Sequence, residues 1–547
     1  MRHVCAEPAG AALAADHLLA LLAVAPEIAG RVAVPPEIRD SFRFSHEGNP
    51  NAWNIRIAHG VTDFLLAFLE RTGSTLSLDV ANLAEADRTD REFIEVLRRR
   101  ADHARIAIHE ADDGEAADLR SGARAFLSAG SALWGGTDVA PDADDATLLL
   151  RASDLAMRMA YYDAALEWTA VGRATLAPDE AGDWGKLTRN MLFAFLLLGR
   201  YAEAEAICAE VQARAPEPAI LAHVTYAMAI LNARLYDPAR HDYDAAKAWI
   251  ERSLDFTDRL PPSETRSVNH AFLMNTMALV EMRKGRHAVA FELLDAALHL
   301  MAVEAPIKYP LECGILLHNR ARLNIRVKQS AQAIDDLSRL LTFEPSNSEA
   351  FFDRGLLKQR ANQIEAALAD YAAALKWSAP YWEPHFNRAQ VLTALGRRDA
   401  ALQDYARVLV LNPGHAESRA HAFCLRGLAA METGDLAAAE RHFSLSIDAD
   451  PKLANAWANR ATIRFRLGEP AAALHDLDQA LALREDPEIL FNRGRVLESL
   501  RRWPEAIADY RRALALGASA PEAIQRRLDH CIALDHEAHG QPATPAV

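Results

Sequence analysis

Most of the features that announce chemistry are missing from these 547 residues. The five cysteines, Cys5, Cys208, Cys313, Cys424 and Cys531, are scattered and form no CxxC pair. Neither a disulfide framework nor a zinc module is implied, and a reducing cytoplasm is the expected location. No glycine-rich loop ends in Gly-Lys-Ser/Thr, so nothing in the sequence is expected to wrap a nucleotide's phosphates. No GxSxG elbow occurs either. His530, Cys531, His536 and His539 cluster near the end, but His536 and His539 lack the i, i+4 spacing that places two ligands on one helical face. No metal and no cofactor are expected, and the chain reads as non-enzymatic.

An excess of positive charge is also missing. The formal net charge is -15, which opposes the counterion-release attraction used by nucleic-acid binders and by proteins that sit on anionic membranes. Long apolar runs are absent as well. Leu18 to Ala25 lacks a basic flank, and Met191 to Leu198 is far too short to span a bilayer, so no export signal or transmembrane helix is expected.

What remains is a well-balanced soluble composition, half apolar and a quarter charged, able to bury a large core. A chain this long exceeds one compact core, so it must divide into domains or stack as a solenoid in which each unit packs on its neighbours.

A periodic landmark decides for the solenoid. A small residue after arginine recurs in HNRA 318–321, FDRG 352–355, FNRA 386–389, CLRG 424–427, ANRA 458–461 and FNRG 491–494. The small residues Ala321, Gly355, Ala389, Gly427, Ala461 and Gly494 stand 34, 34, 38, 34 and 33 residues apart. Twelve residues after each comes an alanine (Ala333, Ala367, Ala401, Ala439, Ala473, Ala506). Four further on stands a large apolar residue (Leu337, Tyr371, Tyr405, Phe443, Leu477, Tyr510). Such i, i+4 pairs share one face of a helix. Pro345, Pro380, Pro413, Pro451, Pro487 and Pro521 punctuate the units, because proline lacks an N–H and restricts the residue before it.

This pattern resembles the tetratricopeptide repeat family. The resemblance implies a mainly α fold: a right-handed α-solenoid of about nine helical hairpins over residues 145–520, with a small α/β domain at 1–140. A capping helix is expected at 521–539 and a disordered tail at 540–547. Weaker units are expected around Ala165, around Gly199, Ala204, Cys208 and Pro216, around Ala246, Ile250 and Ser253 after an inserted turn at Asp237 to Tyr243, and around Gly285, Ala290, Leu294 and Ala297.

In that family the first helix of each hairpin lines a concave groove, and residues two before the landmark point inward. By resemblance these are Asn319, Asp353, Asn387, Leu425, Asn459 and Asn492. An amide offers donors and an acceptor, so a ladder of asparagines could hold an extended peptide by its backbone. Arg322, Arg326, Arg360, Arg466 and Arg495 fall on positions bordering the same groove and favour carboxylates. The expected groove is therefore Asn319, Arg322, Arg326, Arg360, Asn387, Asn459, Arg466, Asn492 and Arg495, with another protein or an acidic peptide as partner; self-association stays open. The plainer alternative is that the asparagines satisfy neighbouring helices and the arginines are a solvated face. The landmark arginines Arg320, Arg354, Arg388, Arg460 and Arg493 recur with an aspartate sixteen residues later (Asp336, Asp370, Asp404, Asp476, Asp509), which predicts ion pairs inside the repeats; Arg426 has His442 instead.

The N-terminal pattern differs. An amphipathic stretch Ile55 to Glu70, a strand Thr75 to Val80, a helix opened by Thr89 with Glu92 as a capping box, and a strand Arg105 to His109 predict a parallel α/β unit. Leu76 to Arg100 resembles the Walker B strand and following helix of signal-transduction P-loop ATPases, with Asp79 in the acidic position, but the phosphate loop is missing. The nearest imitation, Gly182 to Lys186, has no strand before it.

Three readings result. The first is a non-catalytic protein-binding scaffold using the groove. The second is an accessory or regulatory relative of a signalling ATPase that docks a partner through a degenerate N-terminal domain. The third is an unrecognised enzyme with a site where the α/β segment meets the solenoid.

Overall fold

The computed structural model describes residues 4–5, 7–30, 32, 34–35, 38, 50–81, 88–100, 105–111, 119–134, 140, 143–176, 181–214, 217–235, 240–304 and 310–538. Its contacts divide the chain into two compact units, Met1–Pro384 and His385–Val547. Pro216, His539 and the 540–547 tail lie outside the described residues.

The first unit opens with short helices α1 (Pro8–Ala14) and α2 (Leu18–Val24), then the long α3 (Pro50–Thr72). A strand β1 (Leu76–Ala81), a crossover helix α4 (Arg88–Arg100) and a strand β2 (Ile106–Ala111) follow, and then α5 (Leu119–Trp134). The strands pair in parallel, Leu76 opposite Ile106 and Asp79 opposite His109, so the expected parallel βαβ unit is present among the described residues. The crossover connection is needed because a tight turn cannot join parallel strands. One detail is corrected. Helix α4 already includes Arg88, so Thr89 sits inside the helix instead of at the extended capping position, and its side chain lies outside the described residues. This part is held by an apolar cluster that includes Leu18, Leu21, Leu22, Ile57, Phe64, Leu65, Leu97 and Ile106.

From Asp145 onward the chain is helical pairs. In the first unit they are α6 (Asp145–Arg158) and α7 (Tyr162–Thr175), α8 (Ala181–Leu197) and α9 (Tyr201–Arg214), α10 (Pro218–Ile230) and α11 (Tyr243–Asp258). There follow α12 (Glu264–Arg283) and α13 (His287–Glu304), α14 (Pro310–Arg326) and α15 (Ser330–Phe343), α16 (Ser348–Arg360) and α17 (Ile364–Lys376). A π-turn, Leu231–Leu235, separates α10 from the inserted segment, as wide turns do where a helix must depart from its own register. The next helix, α18 (Trp382–Ala394), leads into the second unit with α19 (Arg398–Leu411), α20 (Ala416–Glu432), α21 (Leu436–Ala449), α22 (Ala454–Arg466), α23 (Pro470–Leu483), α24 (Pro487–Ser499), α25 (Trp503–Ala515) and α26 (Pro521–Ala538).

Packing explains the landmarks. The alanines Ala333, Ala367, Ala401, Ala439, Ala473 and Ala506 are all fully buried, as are Tyr371, Tyr405, Phe443 and Tyr510 four residues on. A Cβ added at Gly494 would lie 2.5 Å from the Tyr510 ring, and one at Gly427 would lie 2.6 Å from Phe443. The small residue is thus required by the ring it faces. The 38-residue spacing between Ala389 and Gly427 leaves four residues beyond the usual 34, and these are helical. They lengthen α20 to 17 residues, against 13 in both α18 and α22, which is close to one added turn and leaves the helical face in register.

Candidate functional site

Every predicted arginine–aspartate pair forms. Arg354 donates through Nε and Nη2 to Asp370 at 2.9 and 2.8 Å, Arg388 to Asp404 at 2.7 and 2.8 Å, and Arg460 to Asp476 at 2.9 and 2.8 Å. Arg493 to Asp509 and Arg320 to Asp336 repeat the fork. Such bidentate geometry is the strongest form of the ion pair. The third nitrogen reaches back to the preceding repeat: Arg354 to Ser338 at 3.0 Å, Arg460 to Ser444 at 3.1 Å, Arg493 to Asp478 at 2.8 Å. Arg354, Arg460 and Arg493 therefore tie their own second helix to that of the repeat before, and all five landmark arginines are occupied by the scaffold. Burial alone would raise the Asp404 carboxyl, but hydrogen bonds from Arg388 and His385 outweigh it and hold the group below the usual carboxylate range. In the exceptional repeat Arg426 lies over Phe423, 5.8 Å from the ring centroid, and His442 stacks on the same ring. Burial, with Arg426 and Arg441 nearby, holds His442 below its ordinary value.

The asparagines divide into two sets. Asn319 donates to Oδ1 of Asn275 at 2.9 Å on the preceding first helix, and Asn459 donates to Sγ of Cys424 at 3.8 Å. Sequence reading missed a third of this kind: Asn190, buried, donates to Asp154 at 2.7 Å and to Ser153 at 3.1 Å. Counting twelve residues back from Ala204, and two more, would have found it. These three amides bridge neighbouring helices. Asn492 is half-buried and has no hydrogen bond among the described residues, and Asn387 is likewise half-buried. Asp353 accepts from His318 at 3.1 Å, and Leu425 is buried.

Of the expected arginines, Arg322, Arg326, Arg360 and Arg466 are exposed and form no ion pair among the described residues. Arg495 stands over two rings, 5.7 Å from Phe465 and 5.9 Å from Phe491. Within α22, Asn459 and Arg466 are seven residues apart and share a face; within α24, Asn492 and Arg495 do so at three. The second unit thus carries a face with fixed amides and cationic groups.

The buried cysteines are poorly suited to covalent chemistry. Burial pushes the thiols of Cys208 up to about 12 and of Cys424 and Cys531 up to about 11, leaving them as protonated packing groups. The Gly182 to Lys186 segment is helical, in the first turns of α8, with Lys186 paired to Asp183 at 2.8 Å; it is no phosphate-cradling loop. No group of three or more histidine, cysteine or carboxylate side chains is placed to hold a metal among the described residues. No described helix is long and apolar enough to cross a membrane.

A second cluster lies within the first unit. Arg56, from α3, stands 4.0 Å from the ring centroid of Tyr381 and 3.8 Å from Glu349. The carboxylates of Glu349, Glu383 and Asp353 act on the Tyr381 hydroxyl, which burial pushes far above its ordinary value. Glu349 is one turn before Asp353 on α16, so α3 meets the face that carries the inward residue of that repeat. Burial raises the Glu349 carboxyl despite the opposing Arg56 and His318.

Comparison with known proteins agrees with the periodicity. Residues 352–416, 386–454 and 458–521 match the tetratricopeptide repeat family model. Tetratricopeptide repeat protein 36 of Danio rerio is 37% identical over 99 residues, 17% of this chain and 53% of that protein. The DnaJ homolog subfamily C member 7 homolog of Schizosaccharomyces pombe is 41% identical over 81 residues, 14% of this chain and 17% of that protein. The chain spans about half the length, or less, of the curated relatives it matches. A solved tetratricopeptide repeat protein from Parabacteroides merdae aligns with 22% identity and a TM-score of 0.35, over 48% of this chain and 99% of that one. The likeness to tetratricopeptide repeats thus rests on residues 352–454 and 458–521.

Proposed function

We propose that the chain is a non-catalytic scaffold that captures a partner protein by an extended, carboxylate-bearing segment laid on the first-helix face of the second unit. Repeats of this class support protein interaction in general. The observation that carries the finer reading is the division of cations in the second unit. The landmark arginines are locked into aspartates, whereas Arg466 is exposed and Arg495 rests on aromatic rings with no carboxylate partner among the described residues. Unpaired guanidinium groups beside the open amide of Asn492 offer forked donors to a carboxylate and a donor and acceptor to a peptide backbone.

The test is capture of partners from native extract by the full chain, mapping of the bound segment, and titration of that peptide. Arg466→Glu combined with Arg495→Glu is expected to weaken binding at least tenfold, and Asn492→Ala by several-fold, with the helical circular dichroism unchanged. Equal affinity in all three chains rejects the reading.

A further inference from the structure

The repeat formed by α20 and α21 breaks the arginine rule that the other five keep. In those five the landmark arginine forks onto an aspartate sixteen residues on. Four of them also reach an acceptor on the second helix before: Asp295, Ser338, Ser444 or Asp478. Arg426 has neither partner, because His442 stands at the aspartate's place and Ala406 at the other. The His442 ring stacks on Phe423, and its buried Nδ1 has no hydrogen-bond partner among the described residues, so it supplies Arg426 with no acceptor. Arg426 is exposed and, apart from its place over Phe423, has no ion pair or hydrogen bond among the described residues. Arg441, beside His442 on α21, is exposed and equally unpaired among the described residues. None of the residues three or four away from either arginine on its own helix is acidic, so neither has the intrahelical ion pair that such spacing allows. Asp435 acts on His442 less than either arginine does, and it is taken up by the Ala438 N–H at 2.9 Å. In a chain of net charge -15, two guanidinium groups thus flank one imidazole with no paired carboxylate.

A carboxylate would balance one of these charges, whereas a phosphorylated side chain carries about two negative charges at neutral pH and offers three acceptor oxygens. We infer that Arg426 and Arg441 read a phosphorylated side chain of a partner protein, in the repeat that lacks an aspartate of its own. The site uses other residues than the Arg466 and Arg495 face and takes a different anion.

The experiment titrates the full chain at neutral pH with three labelled glycine-serine peptides that differ at one central position: phosphoserine, glutamate or serine. The phosphoserine peptide is expected to bind at least fivefold more tightly than the glutamate peptide. Arg426→Gln with Arg441→Gln is expected to remove that preference, while Arg466→Glu with Arg495→Glu leaves it intact. His442→Asp, which gives Arg426 back an internal carboxylate, is expected to remove it too. Both arginines are exposed, so the glutamine pair is expected to keep the circular dichroism of the unaltered chain. The inference is overturned if the phosphoserine and glutamate peptides bind equally, if neither binds at millimolar concentration, or if the preference survives the glutamine pair. Inorganic phosphate that displaces the phosphoserine peptide at equal concentration also overturns it, since the site would then read the bare ion.

Discussion

Asp476 concentrates what the side chains do in this molecule. Its carboxylate is fully buried and accepts from Arg460 and, through Nη1 at 3.0 Å, from Arg464. Both cations also belong to helix α22, so one aspartate on α23 fixes the crossing of two helices at two points. Removing the negative charge while keeping the shape leaves two partly buried guanidinium groups facing a neutral amide. Asp476→Asn is expected to destabilise the second unit by about 3 kcal/mol, in line with breaking a buried pair from one side. Denaturant unfolding followed by circular dichroism measures this; a loss under about 1 kcal/mol would mean that the fork is ornamental to stability.

The hairpin turns make the corresponding argument for elements. Seven residues after each landmark the backbone enters the left-handed region: Lys328, Asn362, Gly396, Gly434, Gly468 and Arg501 have φ between 58° and 84°. Ala160, Gly199 and Gly285 do the same in the earlier pairs. Glycine adopts this conformation without penalty, and asparagine tolerates it, but lysine and arginine carry a Cβ that crowds the following carbonyl. The turn between α24 and α25 is thus strained at Arg501. Arg501→Gly is expected to raise stability by about 1 kcal/mol, the relief of the left-handed cost exceeding the extra freedom glycine gives the unfolded chain. A thermal melt that falls instead would show that the arginine side chain holds the turn in some other way.

For the whole molecule, the division after Pro384 has an energetic meaning. The second unit contains its own apolar clusters, around Cys424, Phe443 and Ile463, around Ala461, Leu477 and Val496, and around Leu497, Tyr510 and Leu528. Repeat proteins owe their stability to each unit and its nearest neighbours. A fragment covering 382–547, begun at the first residue of α18 so that no helix is cut, is expected to be helical and to melt cooperatively by itself. A fragment that is unfolded by circular dichroism at 25 °C would refute this independence.

The repeat itself was legible in the chain, because helical hairpins impose local rules. Small residues at 34-residue spacing, buried alanines twelve later and prolines between units each follow from contacts within one or two hairpins. The arginine–aspartate forks were legible for the same reason, since a fixed separation of sixteen residues always spans the same turn. The proposed binding face was only half legible. Asn319 and Asn459 fit the ladder position, yet their amides bond to Asn275 and Cys424 on the adjacent first helix, and no spacing rule announces what a neighbouring repeat offers. The wider 38-residue spacing between Ala389 and Gly427 became one more turn of α20, because four residues nearly complete a helical turn. The contact of Arg56 with Tyr381 and Glu349 was invisible in the sequence, because Arg56 is some three hundred residues from both. Local periodicity determined the hairpins, whereas packing between distant segments decided which polar groups are bound within the scaffold and which remain to meet another molecule.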